Sequence, residues 1–189
     1  MKKLLITGFE PFDGEGINPS WEAVRQLPDT VGDYVLCKQN IPTVYASAAQ
    51  TVLDTAGTIG ADAIICVGQA GGRDAVTPER IAVNIRDARI ADNAGVSFHG
   101  QRIDPHGPAA YFSTLPVEKM SQAIRDAGIP SSVSNTAGCY VCNDVLYTVL
   151  HKSGVPACFI HVPYLPEQGT PNMALDDIVR ALMAAIEAI

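Results

Sequence analysis

Ser134-Asn135-Thr136-Ala137-Gly138-Cys139-Tyr140-Val141-Cys142-Asn143-Asp144-Val145-Leu146-Tyr147 is the stretch on which the fold turns. A short extended run over Ser131–Asn135 reads as a strand, and Gly138 supplies a tight turn. From Cys142 onward, Val145, Leu146, Val149 and Leu150 fall on one helix face. Strand, turn and helix in that order form a building unit of α/β proteins. A helix N-terminus carries partial positive charge and unpaired amides. A cysteine placed there ionises more readily, and the thiolate is the nucleophile. The same amides can hold an oxyanion. The spacing is equally that of a small buried hydrophobe on an apolar stripe. Taken alone, it leaves Cys142 open between core and nucleophile.

Outward from this stretch, strands and helices alternate. Lys3–Thr7 reads as the first strand. Asn18-Pro19 starts a helix to Leu27, with Asn as cap and Pro in the first turn. Asp33–Gln39 reads as a second strand. Tyr45–Ile59 is amphipathic and ends at Gly60. Ala61–Val67 is a continuous apolar run, as in a strand covered on both faces. Arg80–Arg86 alternates at Ile81, Val83 and Ile85, predicting a half-buried strand. Arg86–Pro108 is Gly-, Asp- and His-containing loop. Leu115–Ala127 reads as a helix, the Cys142 helix runs to about Lys152, and Ala157–Val162 is a buried strand ended by Pro163. A last amphipathic helix follows Pro171. This order predicts one three-layer α/β/α domain over residues 1–189, with a mostly parallel twisted central sheet.

Composition narrows the function. Hydrophobic content of 47% and charged content of 17% over 189 residues suit a globular domain with a substantial core. A net charge of −7 disfavours nucleic acid or an anionic membrane as partner. Lys2-Lys3-Leu4-Leu5-Ile6 imitates a signal start, but Thr7-Gly8 ends the apolar run too early. The cysteine count, 5, is odd, and Cys66 and Cys158 lie within strand-like runs. Reduced thiols and a cytoplasmic location are therefore expected. There is no second C-x-x-C and no H-x-x-E-H, so no metal is expected.

In open α/β sheets, sites gather beyond the carboxyl ends of the strands. Of the 4 histidines, His151 sits in the last turn of a helix, where a solvated cation suits the dipole. His99 and His106 lie in loop without a neighbouring motif. His161 ends the apolar strand and is either hydrogen-bonded core or a rigidly held base for a thiol. A carboxylate should orient such a base. Glu79, at the edge of the Arg80 strand, is one candidate, although the residues alone favour a surface pairing with Arg80 over that role. Asp92, Asp104 and Asp144 compete. Gly68-Gln69-Ala70-Gly71-Gly72 lacks the Lys-Ser/Thr of a phosphate loop and reads as backbone close to a ligand. Cys139-Tyr140-Val141-Cys142 is a literal C-x-x-C at a helix start, which keeps a thiol–disulfide oxidoreductase in play. A non-catalytic small-molecule binding domain is a further alternative.

Four blocks carry a resemblance over nearly the whole chain. They are Ile6–Phe12 with Asn18–Trp21, Val67–Arg73 through Pro78–Arg80, Thr136–Gly138 with Val141–Asn143, and Phe159–Tyr164. Together they resemble pyroglutamyl-peptidase I, the cysteine peptidases that remove an N-terminal pyroglutamyl residue. The resemblance implies Cys142 as nucleophile, His161 as base and Glu79 as the residue orienting it. It implies Arg89 and the Cys142 amide as oxyanion donors. It places Phe9, Phe12, Thr43, Ile90, Tyr140 and Val141 around the pyroglutamyl ring, with Gln69 on the lactam. It further implies N-pyroglutamyl peptides as substrates, no cofactor, and a homo-oligomer, in this family often a tetramer. Two positions depart from the usual pattern: Cys139 stands where Thr is usual, and Tyr140 where Phe is usual.

Overall fold

The computed structural model describes residues 1–189. Its centre is a sheet of six strands, ordered β2-β3-β1-β4-β8-β5. They are β1 (Lys2–Phe9), β2 (Thr30–Val31), β3 (Tyr34–Ile41), β4 (Ala63–Gln69), β5 (Thr77–Glu79) and β8 (Ala157–Val162). The inner four are parallel, and the short edge strands β2 and β5 run antiparallel. A separate hairpin-like pair joins β6 (Ile81–Val83) to β7 (Ala110–Phe112).

Side-chain alternation along the buried strands divides the core in two. Leu4, Ile6, Ile65, Val67, Cys158 and Ile160 pack on one face, with helices α1 (Pro19–Gln26), α3 (Val117–Asp126) and α5 (Leu175–Glu187). Leu5, Phe9, Ile64, Cys66, Ala157 and Phe159 pack on the other, with α2 (Ser47–Ile59) and α4 (Val141–Lys152). The result is a single three-layer α/β domain with a mostly parallel sheet. No helix is long and apolar enough to cross a membrane.

Local signals explain the helix ends. The Asn18 side chain accepts from the Ser20 amide at 3.1 Å and caps α1. Gly60 ends α2 in the left-handed region. Gly138, at φ +75°, makes the turn before α4. The start of α2 falls two residues later than the apolar pattern suggests. Ala46 adopts a positive φ, held there by its amide donating to Asp144 Oδ2 at 3.0 Å.

The edges depart further from expectation. Ser131–Asn135 is not a regular strand and forms only isolated bridges, Glu79–Ser134 on β5 and Val76–Ser131 just before it. The strand expected over Arg80–Arg86 breaks at Arg80, with Thr77–Glu79 joining the main sheet and Ile81–Val83 the small one. Its alternation is also inverted, because Ala82 is buried while Ile81 and Val83 are only half-buried.

Candidate active site

Three elements meet at the carboxyl end of β8. His161 shares strand parity with Ala157 and Phe159, so its ring faces the α4 layer. Glu79 on β5 lies opposite Phe159 in the antiparallel pairing, which puts it on that same face. A diagonal cross-strand neighbour is within reach of long side chains. Accordingly, Glu79 Oε1 lies 2.7 Å from His161 Nδ1. Both side chains are almost wholly buried. The competing carboxylates are engaged elsewhere: Asp144 with Arg86, Asp104 with His151, and Asp92 with the amides of Tyr45, Ala94 and Val96. Arg80 pairs with Glu118 rather than with Glu79. His151 is not simply solvated, since the Tyr111 hydroxyl sits 2.6 Å from its Nδ1.

Cys142 comes from the first turn of α4. No side chain caps that helix at Tyr140, so the amides of its first turn are left available. The turn is anchored by its next two residues, both completely buried. Asn143 accepts from the Val83 amide at 2.9 Å and donates to the Val83 carbonyl at 2.8 Å, completing the edge of β6. Asp144 accepts from Arg86 Nε at 2.6 Å. The glycine loop gains a more local reason than a ligand. Gly68 pairs with His161 across β4–β8, and a Cβ there would lie 2.7 Å from the Phe159 ring and 3.1 Å from Cys142 Sγ. Only a residue without a side chain lets the thiol come this close to the sheet beside His161.

Burial works against the charged form of both Cys142 and His161. Burial pushes the Cys142 thiol up to about 12, the nearby Glu79 and Cys66 add to this, and Arg73 opposes it. Burial thus works against the ionisation that the helix start favours. Burial also lowers His161 below its ordinary 6.5, with the Glu79 hydrogen bond and charge pulling the other way. Burial acts to raise Glu79, but the His161 hydrogen bond and charge, with Arg73, outweigh it and keep the carboxyl below its ordinary value. Glu79 is thus ionised, and His161 Nδ1–H donates to it. That tautomer leaves Nε2 with a lone pair.

A cavity of about 270 Å³ opens over these groups. That is just below the roughly 300–1,000 Å³ usual for small-ligand sites. Phe9, Phe12, Thr43, Gln69 and Tyr140 line it together with Cys142 and His161. Phe12 and Tyr140 lie 5.9 Å apart between ring centres. Gln69 receives a hydrogen bond from Gln168 at 3.1 Å, which fixes its amide. Three expected residues do not line the cavity. Arg89 and Ile90 are exposed on the neighbouring loop, and Val141 is completely buried in the α2–α4 core. The one hydrogen bond to residues 89–91 runs from the Tyr140 hydroxyl to the Ala91 carbonyl, at 3.0 Å.

The sequence pattern gave no role to Arg73 or Glu10, and to Asn18 only that of a helix cap. Arg73 lines the cavity and donates to Glu79 Oε1 at 2.7 Å and to the Thr136 carbonyl at 3.1 Å. Asn18, besides capping α1, lines the cavity and donates to the Glu10 carbonyl at 3.1 Å. Glu10 Oε1 accepts from the Thr43 amide at 3.2 Å and from Asn93 at 3.0 Å, tying three loops of the rim together. Arg73 sits inside the quoted Gly68–Arg73 block, but nothing local marks it as a partner of Glu79.

A thiol, an imidazole and a carboxylate beside a small apolar cavity define a cysteine-type hydrolase on an α/β scaffold. The family model described as pyroglutamyl peptidase matches residues 2–189. A pyrrolidone-carboxylate peptidase of Levilactobacillus brevis is 52% identical, with 99% of this chain and 97% of the relative covered. That of Escherichia fergusonii is 49% identical, with coverages of 98% and 92%. The crystal structure of pyroglutamyl peptidase I from Bacillus amyloliquefaciens superposes with a TM-score of 0.96 at 41% identity, covering 100% of this chain and 96% of that one. The chain belongs to the pyroglutamyl peptidase family, the cysteine peptidases that act on an N-terminal pyroglutamyl group. The oxidoreductase and binding-domain alternatives are set aside with that membership, and all five cysteines are free thiols.

Proposed function

We propose that this chain hydrolyses the amide bond after an N-terminal pyroglutamyl residue, using Cys142, His161 and Glu79. The observation that carries this reading is the Glu79–His161 contact at 2.7 Å, buried beneath a cavity that Cys142 also lines. His161 Nε2 takes the thiol proton as Sγ attacks the pyroglutamyl carbonyl. Glu79 stabilises the imidazolium that forms. The uncapped Cys142 amide holds the oxyanion. His161 then protonates the leaving amine, and the C–N bond breaks to leave a thioester. Water, deprotonated by His161, hydrolyses the thioester and regenerates the thiol.

The thiol at about 12 and the imidazole below 6.5 make the first proton transfer uphill in the resting site. The oxyanion contacts made on attack offset that cost. A flat uncharged lactam suits walls of Phe9, Phe12 and Tyr140, with Gln69 and Thr43 as its polar anchors. Arg89 is the proposed second oxyanion donor. From its exposed position it must move inward with residues 89–91, and Ile90 and the backbone beside Val141 would complete the pocket in the same closure. A homotetramer in the cytoplasm follows from the family resemblance, and light scattering on the purified chain tests the assembly.

The decisive experiment is release of aminomethylcoumarin from its pyroglutamyl amide, set against the prolyl and glutamyl amides. Turnover restricted to the pyroglutamyl compound is expected. Equal turnover of the prolyl amide would defeat the assignment of the pocket.

A further inference from the structure

The cavity over Cys142 does not stop at Arg73. The loop that follows β4 and the segment before Gly138 run side by side as two banks. The Val76 amide donates to the Pro130 carbonyl at 3.0 Å, and the Ser134 amide donates to the Pro78 carbonyl at 2.9 Å. Between the banks lies a second, more open depression of about 400 Å³, lined by Gly72, Arg73, Asp74, Thr77, Ser132 and Ser134. Arg73 is common to both cavities. Its guanidinium spans the banks, donating to Thr77 and Glu79 on one side and to the Thr136 carbonyl on the other.

The orientation of a substrate follows from which end is apolar. The lactam takes the aromatic end, by Phe9, Phe12 and Tyr140. The scissile carbonyl lies at Cys142, and the leaving amine faces His161. The departing chain must then leave past the rim that Gly71 and Gly138 form with Arg73. Nothing lies within 4 Å of where a Cβ on Gly138 would stand, which leaves room for a peptide backbone, whereas the Tyr164 ring fills that place at Gly71. Beyond the rim lies the depression.

Its charge is unbalanced. Arg73 is offset by its ion pair with Glu79. Asp74 is exposed and takes part in no salt bridge, so it is the uncompensated charge of the depression. We propose that this groove receives the peptide chain on the far side of the scissile amide. Through Asp74, it favours lysine or arginine at the first or second position after the pyroglutamyl residue. The inference rests on the pyroglutamyl peptidase reading above.

The test compares kcat/KM for two pairs of peptide amides, pyroglutamyl-Lys-Ala with pyroglutamyl-Glu-Ala, and pyroglutamyl-Ala-Lys with pyroglutamyl-Ala-Glu. Wild type, Asp74→Asn and Asp74→Lys are measured. An exposed ion pair in water is modest, so a preference of roughly two- to fivefold for lysine is expected in at least one pair. It should fall to about one in D74N, invert in D74K, and fade in roughly 0.5 M salt, where screening is short-ranged. Pyroglutamyl aminomethylcoumarin carries nothing to fill the groove, so all three proteins should cleave it equally. Turnover of that compound with a lysine-to-glutamate ratio unchanged among the three proteins overturns the groove alone. So does a uniform fall on every substrate in the variants. No turnover of the coumarylamide by wild type overturns the parent reading, and the groove with it.

Discussion

Glu79→Gln removes one charge from beneath His161 while leaving its shape. Glu79 Oε1 accepts from both His161 Nδ1 and Arg73, each at 2.7 Å, whereas Oε2 has no hydrogen-bond partner. Both neighbours of Oε1 are donors. In the variant they hold the amide oxygen in place, and the amide nitrogen takes the vacant side. The His161 tautomer is thereby preserved. This separates the case from loss of the acid in a Ser-His-Asp triad, where the wrong tautomer costs about 10⁴. What is lost is charge assistance when the imidazolium forms. A hydrogen bond to a charged group contributes about 1.5–3 kcal/mol against about 1 for a neutral one. The difference, about 0.5–2 kcal/mol, acts on the transition state, so kcat should drop roughly 2- to 30-fold. Glu79 also raises His161, so its loss lets the imidazole titrate lower, and the acid limb of kcat/KM moves to lower pH. Arg73 is 28% exposed and can recruit water, which keeps the folding cost to about 1–3 kcal/mol. The assay is kcat and kcat/KM on the coumarylamide from pH 5 to about 9, with circular dichroism confirming the fold. A folded E79Q within twofold of wild type, its acid limb unmoved, would refute the charge argument. A ten-thousandfold loss would refute the pinned oxygen.

Cys142→Ala should fold normally, because its neighbours Asn143 and Asp144 anchor the helix start, and should show no turnover. Measurable hydrolysis by that protein would remove Cys142 from the chemistry. Gly68→Ala places a Cβ 2.7 Å from the buried Phe159 ring. Overpacking of this kind costs about 1–3 kcal/mol, and here it also displaces the thiol; an unchanged Tm with full activity would contradict the close approach. His161 titrates below 6.5 in the fold, so an unfolded chain takes up that proton first as pH falls. Stability should therefore decline as pH drops from 6.5 towards the lowered folded value. Glu79 contributes stability that is present above 4.5 and is lost as pH falls through its lowered folded value. Urea midpoints follow both steps, and His161→Gln should abolish the first; parallel curves for the two proteins between pH 7 and about 5 would count against it.

Much of this arrangement is local and could be read from the chain. Ala157–Val162 is a strand with the boundaries its apolar run suggests, and the end of α4 at Lys152 matches its periodicity. Burial on both faces imposes a signal on every residue of such a strand. The edges carry no such signal. Thr30–Val31, Thr77–Glu79 and Ala110–Phe112 are two or three residues long and exist because a partner lies alongside. Ser131–Asn135 has the composition of a strand but too few partners to become one.

The site divides along the same line. The chain by itself determined a glycine turn and a helix presenting Cys142 at its start, a histidine ending a buried strand, and the family to which both belong. Residue patterns left the carboxylate open and the family resemblance pointed to Glu79, but only the tertiary structure shows why it meets His161. Glu79 lies 82 residues away, and its place depends on an antiparallel edge pairing that puts it in step with Phe159. The same packing gave Gly68 its purpose, brought Arg73 onto Glu79, and set Arg89 and Ile90 outside the cavity. Periodicity reports how each residue sits on its own element. Which elements adjoin, and in what register, is settled by burial shared between distant parts of the chain.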